Sequence, residues 1–361
     1  MEATMHTAET EVIARPKGFL CMDLLRAYAC LMIVIFHAHS IAGNMLLADG
    51  INIWPAPIWW YSTVDLFFVM SGFLMVHMSR KLYGTFSGTK VFIAKRAART
   101  PLLYWLYTLL IAALLLLGAG TSHTAEHVTI WRLAASISFW PVEGGPIIPL
   151  GWTLNYEVFF YALFALSIPF AFPRGAVTLC YVLSAFVFLG AFFDFQYFPL
   201  DFWTDPILID FVFGVLLGVA YHKGVAFSPP SRIALALCAI FPLLLVGTPF
   251  QHGDISRPYT FGLSAAFLVA AACLRDQEYT FGKAGAVVAQ IGNSAYSLYL
   301  THIITLKALE LIFRKGVFLT SFKGGAYILI ATICSVIVGY IAYFILEKPL
   351  TAKLRQRIPN A

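Results

Sequence analysis

The chain has 361 residues, 60% hydrophobic and only 12% charged, with a mean hydropathy of +0.79. Soluble globular domains carry about a quarter charged residues, so this composition excludes one and points to a polytopic membrane protein. The net charge of +6 is better explained by basic cytoplasmic loops than by a nucleic-acid partner.

Residues 1–18 are mixed polar, with Glu2, Glu9, Glu11, Arg15 and Lys17. They lack the basic start, short apolar run and small-residue cleavage site of a signal peptide. A short, disordered cytoplasmic tail is expected there. Apolar runs of bilayer-spanning length follow at 20–42, 57–79, 101–119, 150–172, 176–193, 206–222, 232–249, 258–274, 287–312 and 325–346. The fold class is therefore all-α: one membrane domain over 19–350 with about ten transmembrane helices, then a basic cytoplasmic tail at 351–361. Pro55, Pro57, Pro173, Pro229, Pro230 and Pro258 punctuate the short connections. The longest loop, 120–149, holds Trp131 to Trp140, which suits a short amphipathic helix lying along the interface. His123 and His127 in that loop read as solvated.

Orientation follows from the basic residues. With the N-terminus inside, tails and cytoplasmic loops hold seventeen Lys and Arg; the outer loops hold five, namely Arg132, Arg257, Arg314, Lys315 and Lys323. That bias places both termini in the cytoplasm. Three of the five outer charges, Arg314, Lys315 and Lys323, cluster before the last run. The six cysteines have no CxxC spacing, so neither a disulfide framework nor a zinc site is indicated. His37 and His39 are two apart on a helix and point to different sides, which argues against a metal.

The charged residues inside spans carry the functional signal. Arg26 and His37 are eleven residues apart, almost three helical turns, so they share one face and lie about 16 Å apart along the axis. Ionisable groups in spanning helices face a protein or water-filled interior. His37, Asp65, Glu157 and His302, from four separate helices, each fall about 10–15 Å below the outer surface. They are expected to share one polar cavity, in which a histidine beside carboxylates acts as a general base. Glu157 is the first-choice partner of His37; Asp65 is the second, because its place near a helix start also suits capping or topology. On the cytoplasmic side Arg96 and Arg99 precede Pro101, three apart and facing the same way. With Arg26 they form an anion-binding mouth suited to phosphates. A coenzyme A thioester has a phosphorylated head and a long thin arm that fits this geometry. Ser71-Gly72 reads as a helix-packing step rather than a nucleophile. Trp152, Tyr156 and Tyr299 are placed near the cavity, where a flat aromatic face suits a sugar ring, with an interfacial aromatic belt as the alternative reading. Two other readings stay open at this point: a transporter or flippase with a His/carboxylate proton relay, and an assembly subunit of a polysaccharide export complex.

Five motifs in order carry a resemblance. They are Arg26-x10-His37, Asp65-Leu-Phe-Phe-Val-Met-Ser71-Gly72-Phe73, Arg96-x-x-Arg99 before Pro101, Trp152-Thr-Leu-Asn155-Tyr156-Glu157 and Tyr296-Ser297-Leu-Tyr299-Leu-Thr-His302. Together they resemble the acyltransferase-3 family of integral membrane O-acyltransferases, from about residue 20 to 350. The Trp-Thr-Leu-Asn-Tyr-Glu form is most similar to exopolysaccharide acetyltransferases of the succinoglycan type. The resemblance implies ten core helices in a bacterial inner membrane and no bound cofactor. It implies acyl-CoA, acetyl-CoA in that type, as co-substrate, and a cell-surface or lipid-linked glycan hydroxyl as acceptor. It also implies His37 as the catalytic base and Arg26, Arg96 and Arg99 on the donor. Trp152, Asn155, Tyr156, Tyr299 and His302 are the residues expected on the acceptor. Some members carry an appended extracytoplasmic domain. This chain ends soon after its last span, so it is expected to transfer alone or to hand the acyl group to a separate protein.

Overall fold

A computed structural model describes residues 19–48, 50–119, 128–244, 253–275, 282–315, 320–356 and 358. The N-terminal tail, the end of the C-terminal tail, His123 and His127 lie outside the described residues. Every apolar run expected to span contains a helix, and the fold class is all-α. Among the described residues, six helical stretches are by length and composition long and apolar enough to cross a membrane: Leu20–Ala48, Phe86–Gly118, Arg174–Phe192, Phe198–His222, Ala295–Arg314 and Gly324–Arg355. Thr63–Ser79, Pro229–Leu244 and Pro258–Cys273 are shorter apolar helices.

In chain order the elements are α1 (Phe19–Ala48), α2 (Thr63–Ser79), α3 (Phe86–Ala97), α4 (Thr100–Leu114), α5 (Ile130–Ser138), α6 (Gly151–Ser167), α7 (Arg174–Phe192) and α8 (Phe198–Trp203). They continue with α9 (Leu208–His222), α10 (Pro229–Cys238), α11 (Ile240–Leu244), α12 (Leu263–Cys273), α13 (Lys283–Asn293), α14 (Ala295–Lys315), α15 (Thr320–Ala342) and α16 (Lys348–Arg355). Pro101, Pro229 and Pro258 each sit in the first turn of a helix, where the missing N–H would be unbonded anyway. The amphipathic segment expected in the long loop is α5, which exposes Ile130 and Trp131 while burying Ala135 and Ser136.

Helix α1 is the hub. It packs on α2, α12, α13, α14 and α15. Ala27, Cys30, Val34, Ala38 and Ala42 are fully buried along it, and such small side chains let neighbouring backbones come close. The peripheral helices show the opposite pattern. Tyr181 and Phe188 on α7 and Leu329 and Ile337 on α15 point outward and are exposed, as on helices whose outer faces meet acyl chains. The charges near the C-terminal end of α14 are partly neutralised in place: Glu310 accepts from Lys307 Nζ at 2.8 Å and from Arg314 Nη2 at 2.8 Å.

A close glycine-mediated helix contact joins α2 to α9. A Cβ on Gly72 would stand 2.4 Å from the Phe211 carbonyl oxygen, and one on Gly214 would stand 2.1 Å from that of Val69. Glycine is therefore required on both sides of this crossing. Gly72→Ala or Gly214→Ala must push the two helices apart, and overpacking of this kind costs about 1–3 kcal/mol. Either substitution should lower the thermal unfolding midpoint of the detergent-solubilised protein. An unchanged midpoint would show that the two helices separate freely.

Candidate active site

Two cavities abut inside the bundle. The first has a volume of about 130 Å³ and is lined by Arg26 from α1, Arg96 from α3, Arg99 at the start of α4, and Glu157 and Tyr161 from α6. Arg26 donates to Asp23 one turn earlier at 3.2 Å. Arg96 is buried, its guanidinium 5.8 Å above the Phe92 ring and 5.7 Å from that of Tyr161. Glu157 accepts a hydrogen bond from the Tyr161 hydroxyl and one at 3.4 Å from Ser71. Three guanidiniums thus face one chamber that contains a single carboxylate among its lining residues. Such a chamber attracts polyanions, phosphates above all, because guanidinium forks match their geometry.

The second cavity, about 190 Å³, is lined by Phe36 and His37 from α1, Trp60 and Tyr61 ahead of α2, Trp152 from α6, and Arg257. Ile33, Val64, Thr153 and Tyr299 line both cavities. The boundary is polar on one side: the Tyr299 and Thr153 hydroxyls share a hydrogen bond of 2.6 Å, and Tyr299 also donates to the Leu150 carbonyl. On α1 the residues reaching these spaces are Arg26, Ile33, Phe36 and His37, and Arg26, Ile33 and His37 are spaced seven and four apart. That spacing keeps all three on one helix face.

His37 makes no hydrogen bond among the described residues, and its ring centroid lies 5.4 Å from that of His302. The carboxylates expected beside it are elsewhere. Glu157 faces the arginine chamber. Asp65 is fully buried in a two-pronged pair with Arg257, whose Nε and Nη2 donate to its two oxygens at 3.0 and 2.9 Å. The layer of four ionisable residues is therefore divided: His302 joins His37, Asp65 reaches the second cavity only through Arg257, and Glu157 belongs to the first. The physical reason is azimuth. Equal depth places residues in one plane, while side-chain direction around each helix sets which neighbour they meet.

Of the residues expected on the acceptor, Trp152 and Tyr299 line the His37 cavity. Asn155 is buried and does not line it, and Tyr156 is buried against Phe202, with rings 3.8 Å apart. His302 is also buried, behind His37. Ser297 is bonded to Glu347 at 2.6 Å, in the π-turn Tyr343–Glu347 that ends α15, so its hydroxyl holds two helices together. In the Ser71-Gly72 step the packing falls to Gly72 alone, while Ser71 faces the arginine chamber. His39 turns away from His37 to bond the Trp54 carbonyl at 2.8 Å.

Arg257 is the site residue that sequence reading missed. Residue counting alone makes it an outer-loop charge, yet it lies against the buried Asp65 carboxylate and on the wall of the His37 cavity. A signal was present: Asp65 inside a span demanded a cation, and Arg257 directly precedes the Pro258 span.

A family profile described as an acyltransferase domain matches residues 19–344. The chain is 31% identical over 313 residues to the exopolysaccharide production protein ExoZ of Rhizobium meliloti strain 1021, an alignment covering 81% of this chain and 90% of that one. No solved structure matches.

Proposed function

The chain belongs to the acyltransferase-3 family and is an acyltransferase, and from that premise we propose that it moves an acyl group, acetyl in our reading, from cytoplasmic acyl-CoA to a glycan hydroxyl. The acceptor is a cell-surface glycan, an exopolysaccharide or its lipid-linked precursor. The printed name of the Rhizobium relative ties that protein to exopolysaccharide production, which supports this acceptor class. The setting is the bacterial inner membrane, crossed about ten times with both termini in the cytoplasm.

One observation carries the reading. A single face of α1 places Arg26 in a three-arginine chamber and His37 in the adjoining cavity, with Ile33 at their boundary. In this proposal the arginines hold the phosphorylated head of acyl-CoA, and its thin arm passes Ile33, Val64, Thr153 and Tyr299 to bring the thioester to His37. An unprotonated ring nitrogen of His37 takes the proton of the acceptor hydroxyl as that oxygen attacks the thioester carbonyl. The carbon–sulfur bond then breaks, the electron pair leaves with sulfur, and the imidazolium returns the proton to the departing thiolate. Trp152 offers the sugar ring a flat apolar face in the same cavity. Glu157, bonded to Tyr161 beside Arg96, positions the donor chamber rather than the base. A transporter's proton relay would need His37 and the carboxylates in contact, and their separation gives that reading no support.

The decisive experiment supplies purified protein in proteoliposomes with labelled acyl-CoA and glycan acceptor, alongside mass spectrometry of surface polysaccharide from cells with and without the protein. Acyl-CoA-dependent acylation of glycan hydroxyls is expected. An unchanged acylation pattern in cells, together with no acyl-CoA consumption in vitro, would refute the proposal.

Arg96→Ala and Arg99→Ala should act on donor affinity more than on turnover of bound donor, because phosphate contacts remote from the thioester are equal in ground and transition states. Each lost charge-assisted contact weakens binding by about 1.5–3 kcal/mol, so the dissociation constant of a non-hydrolysable acyl-CoA should rise about tenfold or more. Unchanged affinity would leave the two arginines with a purely topological role.

A further inference from the structure

His302 is the best-defined buried polar group beside the proposed base. It lies on α14, is fully buried, and sits 5.4 Å centroid to centroid from His37 with ring planes 35° apart. Its Nδ1 is 3.1 Å from the Leu298 carbonyl oxygen one turn earlier. A carbonyl oxygen only accepts, so Nδ1 carries the hydrogen. Nε2 of the neutral ring is then a lone pair, on the side of the ring away from the Leu298 contact. That Nε2 is buried and has no hydrogen-bond partner among the described residues. A buried acceptor without a donor costs about 1–3 kcal/mol, so a donor is called for. Among the aromatic rings packed on His302, His37 is nearer than Tyr299, whose centroid is 6.0 Å away. The Tyr299 hydroxyl is already engaged with Leu150 and Thr153. His37 has ring N–H capacity to spare.

We propose that His302 is a positioning residue that selects the working tautomer of His37. The two rings, 5.4 Å apart centroid to centroid and not hydrogen-bonded as they stand, need only a small rotation for one His37 ring N–H to donate to His302 Nε2, which leaves the other His37 nitrogen with its lone pair facing the cavity. The chain of polarity runs from the Leu298 carbonyl through His302 to His37, and the only free basic nitrogen is the one that meets the acceptor hydroxyl. When His37 takes the proton, its imidazolium keeps the same donor bond to His302, so no second proton moves. This replaces the expected acceptor-binding role of His302, and it rests on the reading of His37 as the base.

Two measurements test it. In protein labelled with ¹⁵N-histidine, with signals assigned by His37→Asn and His302→Gln variants, the nitrogen shifts should show His302 protonated at Nδ1 only. His37 should show a single neutral tautomer rather than an exchanging mixture. His302 protonated at Nε2, or a tautomer mixture at His37, overturns the proposal without reference to activity. In transfer assays, His302→Leu should lower turnover about 10–100-fold, the range seen when a partner that orients an imidazole is removed. Donor affinity should stay unchanged, because the arginine chamber is separate. His302→Gln places an amide oxygen near the position of Nε2 and should recover most of the turnover. Near-wild-type turnover in the Leu variant refutes the proposal, as does a folded Gln variant as slow as Leu. If the Leu variant fails to fold, the ¹⁵N result decides alone. Loss of His302 function without loss in His37→Ala would instead place the failure in the general-base reading.

Discussion

His37→Ala should reduce acyl transfer about 10²–10⁴-fold, the span that a positioned general base contributes, and leave the protein folded. The fold is expected to survive because His37 makes no hydrogen bond among the described residues and stands at a cavity wall. Truncation there enlarges a space that already exists rather than opening a void in close-packed core. Donor binding should also persist. Arg26 lies about 16 Å along α1 from His37, and Arg96 and Arg99 line the other chamber. The informative assay therefore measures three things on one preparation: transfer rate, affinity for a non-hydrolysable acyl-CoA, and thermal midpoint. A slow, folded, donor-binding variant assigns His37 to the chemical step. Transfer near wild type would end the general-base proposal and with it the division of labour between the cavities.

Arg257→Leu is expected to be the most damaging substitution to stability. Arg257 compensates Asp65 with two hydrogen bonds, and Asp210 on α9 lies against that same carboxyl. Without the guanidinium, two buried carboxyl groups face one another with no cation. Removing one partner of a buried pair costs about 3–5 kcal/mol, whereas replacing both with apolar groups is often close to neutral. The double variant Arg257→Leu/Asp65→Leu should accordingly regain much of the thermal midpoint lost in the single one. It should not regain activity, because Arg257 also forms part of the His37 cavity wall. A single variant as stable as wild type would mean that water reaches the pair and screens it.

The helices were legible because their signal is local. The run expected at 206–222 is α9, Leu208–His222, and the run at 20–42 is contained in α1, Phe19–Ala48. Length and apolarity alone mark such segments. Within one helix the 3.6-residue repeat also holds, so the shared face of Arg26 and His37 follows from counting, and both do line the adjoining cavities. The glycine at 72 was visible as a packing position, but its partner Gly214 was not, because nothing in either segment says which helix the other will meet.

Sequence by itself thus determined the all-α class of the protein, the location of its apolar helices and the residues that share a face on α1. Tertiary structure alone decided the neighbours. Depth along a span is one coordinate that residue counting supplies; direction around the helix and the identity of the facing helix come from packing across the bundle. Asp65, Glu157 and His302 were counted to the same depth as His37, yet Asp65 turns to Arg257, Glu157 turns to Tyr161 in the arginine chamber, and only His302 stands against His37. Arg257 was counted as an outer-loop charge for the same reason: its partner is 192 residues away in the chain, and only the packing that brings Pro258–Cys273 beside α2 makes it part of the site.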